Sequence, residues 1–262
     1  MPDDTYRTIR TLLASKRFED LRRGLELAEL EIVKIGSSEA KPVFEMISPL
    51  FYIDALDHPE LVPILDESVS LAARLGPPII PTLIQSLNAG DLKAQWAIAH
   101  VLGRIGADAI NPMIMAYASA TDSTMRAFIL YALGKIKSPK IVQAAALALE
   151  AAESLNLELR DTATRALGKL AESIPSHMLP EDTRRLFLER LYKNLSDQNT
   201  GVRAKAMRSL GKLARYKHMT VPERAQLKAI CQSILGTDDS GEWDRAYRIR
   251  REAGEALQYC TG

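Results

Sequence analysis

Apolar residues recur along this chain with a helical period, and one block of that pattern is written several times. Residues 160–170 read Arg-Asp-Thr-Ala-Thr-Arg-Ala-Leu-Gly-Lys-Leu, and residues 95–105, 126–136 and 203–213 repeat them with changes. The copies align on Gly103, Gly134, Gly168 and Gly211, and a fifth carries Gln258 in that column. Four columns are apolar throughout. Nine before the glycine stand Ala94, Met125, Leu159, Val202 and Ile249. Five before stand Ile98, Ile129, Ala163, Ala206 and Ala253, and one before stands leucine in every copy. Two after stand Ile105, Ile136, Leu170, Leu213 and Cys260. Offsets of four, four and three put these positions on one helical face. Twelve before the glycine stand Asp91, Asp122, Asn156 and Asn199, short acceptors suited to an N-cap. Each copy therefore predicts a capped helix with one buried stripe, and recurrence at tens of residues predicts a solenoid.

The remaining apolar patterns fill in partner helices. Residues 3–15 and 18–35 predict a first pair, the second with Leu21, Leu25, Ala28 and Ile32 as its stripe and Gly36 at its end. Residues 41–55 predict a helix interrupted near Pro49, followed by 59–75, and Pro77 and Pro78 open a helix running to about Asn88. Helices near 108–119, 139–153, 180–195 and 221–235 each precede a repeat-bearing helix. Pro112, Pro139, Pro180 and Pro222 fall near their first turns, where a missing N–H costs little. The count is about seven antiparallel helix pairs. The last two share a second likeness: Ser176-His177-Met178-Leu179-Pro180-Glu181 resembles Lys217-His218-Met219-Thr220-Val221-Pro222-Glu223. Between Gly236 and Asp244 lies the most irregular connection.

Composition narrows the class. Of 262 residues, 47% are hydrophobic and 26% charged, as in a folded soluble protein. The two cysteines, Cys231 and Cys260, make no disulfide framework and have no metal spacing. Cys260 stands in an apolar column, where a small buried thiol fits. No basic-then-apolar leader opens the sequence and no apolar run approaches a membrane span, so a cytosolic protein is expected, with no membrane partner. A net charge of +1 hides an asymmetry. Residues 1–90 hold 14 acids and 9 bases, and residues 157–262 hold 14 acids and 19 bases.

These features resemble HEAT repeats, more narrowly the HEAT-like repeats named for phycobilisome lyases. The likeness rests on the Leu-Gly-Lys/Arg-Ile/Leu close of four copies. It rests also on the arginine eight before the glycine column, Arg126, Arg160, Arg203 and Arg250, where Gln95 departs. It implies an all-α fold, a right-handed α-α superhelix. One solenoid over residues 1–262 is expected, with divergent repeats at 1–58, regular repeats at 59–217 and a capping repeat at 218–262. The resemblance further implies that the arginines join an inter-repeat hydrogen-bond ladder, and that the second helix of each pair lines a concave side.

That side predicts a basic strip. On the helix 201–217, Lys205, Arg208, Lys212 and Arg215 lie opposite the buried stripe, on a face expected to hold no acid. One after the glycine runs the row Arg104, Lys135, Lys169 and Lys212, and three before it His100, Tyr131, Arg165 and Arg208. Regular cations with a few aromatics suit an anionic partner: phosphates, or an acidic protein or peptide. A basic residue near a helix C-terminus also offsets the macrodipole, which accounts for the row after the glycine. It does not account for the stripe on 201–217, because the dipole reaches only the last turn. Trp96 stands in a column that tolerates polar residues, so it is open both to packing and to stacking on a partner. Trp243, in the irregular connection, is a partner anchor or a cover for the last repeat.

A catalytic set does not emerge. His58, His100, His177 and His218 lie far apart and none precedes a glutamate, which excludes the His-Glu pairs of HEAT-repeat iron hydroxylases. Zinc-protease, nucleophile-elbow and phosphate-loop motifs are absent. No cofactor, metal or small molecule is expected. The resulting expectation is a non-enzymatic scaffold that binds a macromolecule, protein first, through its concave surface. The residues expected to carry it are Trp96, Arg104, Tyr131, Lys135, Arg165, Lys169, Lys205, Arg208, Lys212 and Arg215. Two other readings rest on resemblance. One is a nucleic-acid binder akin to HEAT-like DNA glycosylases, with Trp96 and Asp161 in point. The other is a phycobilin-lyase-like subunit.

Overall fold

The computed structural model describes residues 2–87, 91–239 and 241–260. Their regular structure is entirely helical, and the chain divides into two compact units, residues 1–119 and 120–262.

In the first unit, α1 (Pro2–Leu13) and α2 (Phe18–Ile35) form an antiparallel pair. They are followed by α3 (Lys41–Ile47), α4 (Val62–Arg74), α5 (Ile80–Ser86), α6 (Leu92–Ile105) and α7 (Ile110–Ser119). Helices α2, α4 and α6 pack successively into one layer, with α1 against α3 and α5 against α7 in the other. Prolines shape the helix ends of this unit. Pro49 follows the end of α3, and residues 48–52 continue as a tighter 3-10 helix. Pro59 and Pro77 open 3-10 turns ahead of α4 and α5. The expected end near Asn88 lies outside the described residues.

The second unit holds α8 (Ser123–Leu133), α9 (Ala145–Ala151), α10 (Leu157–Ser173), α11 (Glu181–Asn194), α12 (Thr200–Arg215), α13 (Val221–Leu235) and α14 (Tyr247–Leu257). Here α8, α10, α12 and α14 form one layer in sequence order, backed by α9, α11 and α13. The expected helix at 139–153 begins as a 3-10 helix over 139–144 and becomes α-helical only from Ala145.

The aligned columns explain this layering. Of the twenty apolar column positions, all are buried except Ile105 and Leu257, which are half-buried. Asp91, Asp122, Asn156 and Asn199 cap their helices, each side-chain oxygen accepting backbone N–H groups of the first turn. Just before each cap the arginine column does its work. Arg126, Arg160, Arg203 and Arg250 each donate to the carbonyl six residues earlier, on Ala120, Ser154, Asp197 and Asp244. Two of those carbonyl-bearing residues also reach to the preceding repeat. Arg160 Nε donates to Asp197 Oδ2 at 2.7 Å, and Arg203 lies 3.8 Å from the Asp244 carboxylate. The same aspartates accept the N–H of Asn199 and Ala246. One side chain thus shapes its own loop and ties two repeats together. Gln95, which stands for arginine in its copy, donates to Leu87 O at 2.7 Å.

The second likeness is also structural. Arg184, buried, binds both glutamates of the two related segments, Glu181 and Glu223, and donates to His218 O at 3.0 Å. Glu223 closes a capping box with Thr220 at the start of α13. Cys231 and Cys260 are both buried thiols.

The glycine column sets how closely second-layer helices approach. A Cβ on Gly168 would lie 2.5 Å from Ser209 Oγ and 2.7 Å from Ser209 Cα, and one on Gly211 would lie 2.9 Å from Ala256 Cβ. By contrast, a Cβ on Gly254 of α14 would meet nothing within 4 Å. Gly168→Ala is therefore expected to destabilise by about 1–3 kcal/mol through overpacking. Gly254→Ala should stabilise by about 0.5–1 kcal/mol, because it only removes backbone freedom from the unfolded chain. Urea unfolding of both variants checks this, and equal effects of the same sign would refute the close-approach role of Gly168.

Candidate partner-binding face

The ten residues singled out from the sequence fall in both units: Trp96 and Arg104 in the first, the other eight in the second.

In the first unit, α6 turns Trp96 toward an open groove of about 330 Å³, and its ring remains half exposed. Ile53, Leu56, Val62, Leu65 and Val69 supply apolar lining. Two ion pairs flank the groove, Lys93 with Asp54 and Arg104 with Asp66. The Lys93 ammonium, with the Leu56 N–H, holds the Asp54 carboxyl down at about 2. Arg104 Nη1 also donates to Asp66 O at 3.1 Å, so this member of the row after the glycine is a tie to α4.

In the second unit the remaining residues lie on the α8–α10–α12–α14 layer. Tyr131 receives two cations on its ring: Lys135 Nζ at 4.7 Å and the Arg165 guanidinium at 5.4 Å from the centroid. Arg215 stacks on Tyr216 at 5.5 Å and Tyr259 at 5.3 Å. Among the described residues neither Arg165 nor Arg215 forms an ion pair.

The stripe on α12 behaves differently. Its own helix holds no acid on that face, but the neighbouring helices supply acids. Lys205 pairs with Asp161 of α10. Arg208 donates twice to Glu252 of α14, Nε at 2.8 Å and Nη2 at 2.5 Å. Lys212 pairs with Glu172 of α10. Glu252 is 2% exposed and takes Arg251 as well as Arg208. Burial opposes its charge, yet the two guanidinium groups hold its carboxyl below the ordinary range. The Glu252 carboxylate in turn raises Arg208 above its usual value.

Glu172 is the centre of this face. Its carboxylate accepts Lys137 Nζ at 2.6 Å and Lys169 Nζ at 2.9 Å, besides Lys212. Burial works against its ionisation, but three ammonium groups hold it far below the usual carboxylate range. Lys212 feels the reverse. Burial, joined by the neighbouring Lys169, outweighs the attraction of Glu172 and brings its ammonium down to about 8. Between α10, α12 and α14, Lys169 and Lys212 border a groove of about 290 Å³ that also takes in Arg165, Arg208, Arg215, Glu252 and Tyr259, with Glu172 behind the two lysines rather than in its lining. Beyond Arg208 a second groove of about 660 Å³ lies over Asp161, Lys205 and Arg251.

The sequence analysis named Asp161 only for a glycosylase-like reading and did not name Glu172 or Glu252, so none of these acids was assigned to the α12 cations. Lys205, six before its glycine, meets Asp161, seven before its own. Lys212, one after, meets Glu172, four after. The register in which α12 lies against α10, which column spacing does not fix, selects these pairs.

Comparisons with known proteins agree with this architecture. A sequence profile of HEAT repeats matches residues 80–168. The complex of CpcE and CpcF of phycocyanin lyase from Nostoc sp. PCC7120 contains a similar chain. The TM-score is 0.53 and the identity 21%, over 68% of this chain and 97% of that one. Kap121p bound to Nup53p has a TM-score of 0.65 at 13% identity, over 99% of this chain and 29% of that chain. Kap95p in complex with RanGDP gives 0.59 at 13%, over 97% and 35%. Residues 80–168 thus carry HEAT repeats, and the chain as a whole shares the helical-repeat fold of these structures. No curated protein matches its sequence. Among the described residues of this HEAT-like chain no helix is long and apolar enough to cross a membrane, and no cluster of His, Cys, Asp or Glu is placed to hold a metal ion.

The Glu172 centre carries a pH prediction. Its folded carboxyl is depressed from 4.5. Its stabilisation is thus complete above that value and is lost as the pH falls through the lower folded one. Glu172→Gln should cost about 1–3 kcal/mol at neutral pH by leaving three ammonium groups without a counter-charge. The gap to wild type should shrink progressively as the pH falls below 4.5 toward the lower folded value. Urea denaturation across this range tests both statements, and a gap independent of pH would contradict them.

Proposed function

We propose that this HEAT-like repeat protein is a non-enzymatic scaffold whose second-helix face in residues 120–262 binds a protein partner, through an acidic segment of that partner. The observation that carries this reading is the groove bordered by Arg165, Lys169, Arg208, Lys212 and Arg215. Its cations are fixed in place before any partner arrives, by shared carboxylates and by tyrosine rings. Pre-ordered arginines and tyrosines lower the entropy lost on binding and are the residue types favoured at interface hot spots. The solved relatives Kap121p and Kap95p are themselves seen with protein partners, and this chain shares their fold.

Nucleic acid is the weaker reading on physical grounds. Duplex binding draws its strength from cations that exchange counterions for phosphates. Lys205, Arg208 and Lys212 are already engaged by Asp161, Glu252 and Glu172. Asp161, which a glycosylase-like mechanism would need free, is the partner of Lys205. The lyase-subunit reading rests on the fold alone.

The test compares wild type with an Arg165→Glu/Arg215→Glu double variant as bait for chemical cross-linking in native lysate, alongside duplex DNA titrations at low and high salt. The expected result is a protein cross-linked through residues 120–262 of wild type and reduced at least about tenfold in the variant, a change of about 1.4 kcal/mol or more. Identical cross-linking by both proteins, or micromolar duplex binding that salt abolishes, would overturn the proposal.

A further inference from the structure

The groove between α10, α12 and α14 is over-supplied with positive charge. Glu172 is shared by Lys137, Lys169 and Lys212, and Glu252 by Arg208 and Arg251. Five cations thus divide two carboxylates. Arg165 and Arg215 add two more positive charges, held by tyrosine rings rather than by acids. Of these groups, Arg165, Lys169, Arg208, Lys212 and Arg215 border the groove itself, with Glu252 and Glu255 of α14 as its carboxylates, while Lys137, Glu172 and Arg251 lie outside its lining. The surplus is partly enclosed, with the Lys212 side chain 20% exposed, so solvent screens it incompletely. Burial, joined by the neighbouring Lys169, lowers the Lys212 ammonium despite its Glu172 partner.

A single carboxylate would relieve little of this surplus. It brings one negative charge and two oxygens, which one guanidinium satisfies. A phosphorylated side chain brings a charge approaching −2 and three acceptor oxygens, and it is the group that clustered arginines and lysines recognise. The groove, at about 290 Å³, is large enough for a phosphoryl group with its side chain.

We infer that this groove is a receptor for a phosphorylated serine or threonine on a partner protein, with Arg165 and Arg215 as the guanidinium clamp and Lys169 and Lys212 as its floor. The inference rests on the scaffold reading above and names the chemistry of the partner's anchor.

Calorimetric titration of the full chain with three synthetic peptides tests it. The peptides are alanine- and glycine-rich nonamers that differ only in a central phosphoserine, serine or glutamate. The phosphoserine peptide is expected to bind at least about tenfold more tightly than either of the others. Arg165→Gln/Arg215→Gln, which disturbs no ion pair among the described residues, should abolish that preference while leaving the circular dichroism and melting curve unchanged. Glu172→Gln, measured at low temperature where it remains folded, should bind the phosphoserine peptide several-fold more tightly, because it removes a competing negative charge. A purely structural role for these cations would not produce that gain.

Equal binding of the three peptides would overturn the inference, as would a phosphoserine preference that survives in the Arg165→Gln/Arg215→Gln variant. So would a duplex DNA that displaces the phosphoserine peptide at lower concentration than the peptide itself binds. Phosphatase treatment of the lysate before cross-linking separates the two levels of the argument. A partner retained after dephosphorylation leaves the scaffold standing and removes the phosphate receptor. A partner lost on dephosphorylation supports both.

Discussion

The second unit depends on how near its second-layer helices can come. Where Gly168 faces Ser209 and Gly211 faces Ala256, a methyl group would already collide. That proximity lets a short polar side chain bridge the layer: Ser209 Oγ donates to Thr164 O at 2.9 Å. It also lets Lys205, Arg208 and Lys212, all on α12, reach acids on α10 and α14. The glycine column is therefore an electrostatic device as much as a packing one. By drawing the backbones together it decides which charges can meet.

The charges sort into two sets by what they touch. The arginine column closes loops and joins repeats at the helix N-terminal edge, where Asp197 and Asp244 each accept from their own loop and face an arginine of the repeat before. These are partly buried, multiply bonded groups, and removing one partner would strand the other. Along the helix face the pairs are more open and unevenly matched, with Glu172 and Glu252 each serving several cations. The first set is balanced and belongs to the fold. The second is unbalanced and so remains receptive to an outside anion. In the first unit the groove beside α6 differs in kind. Its ion pairs, Lys93 with Asp54 and Arg104 with Asp66, border an apolar groove beneath Trp96.

Much of this was legible before any coordinates. The buried columns, the N-caps at Asp91, Asp122, Asn156 and Asn199, and the pairing of helices all follow from period and capping chemistry within one copy of the repeat. Such features are local. A stripe with spacing four, four and three must share a helical face, and an asparagine before a helix has its N–H groups within reach. Deviations were local too: prolines at 59, 77 and 139 produced 3-10 turns where longer α-helices were expected.

What could not be read was which cations the face keeps for itself. On one helix Lys205, Arg208 and Lys212 looked like an uninterrupted positive stripe, with no distinction from Arg215. The difference arises between helices, from the register in which α12 lies against α10 and α14. The sequence by itself determined the helices and their buried sides, since each is a matter of spacing along a single segment. Only the tertiary structure decided that Asp161, Glu172 and Glu252 engage most of the stripe while Arg165 and Arg215 rest on tyrosines, because Coulomb attraction depends on distances across helices that no period along the chain encodes.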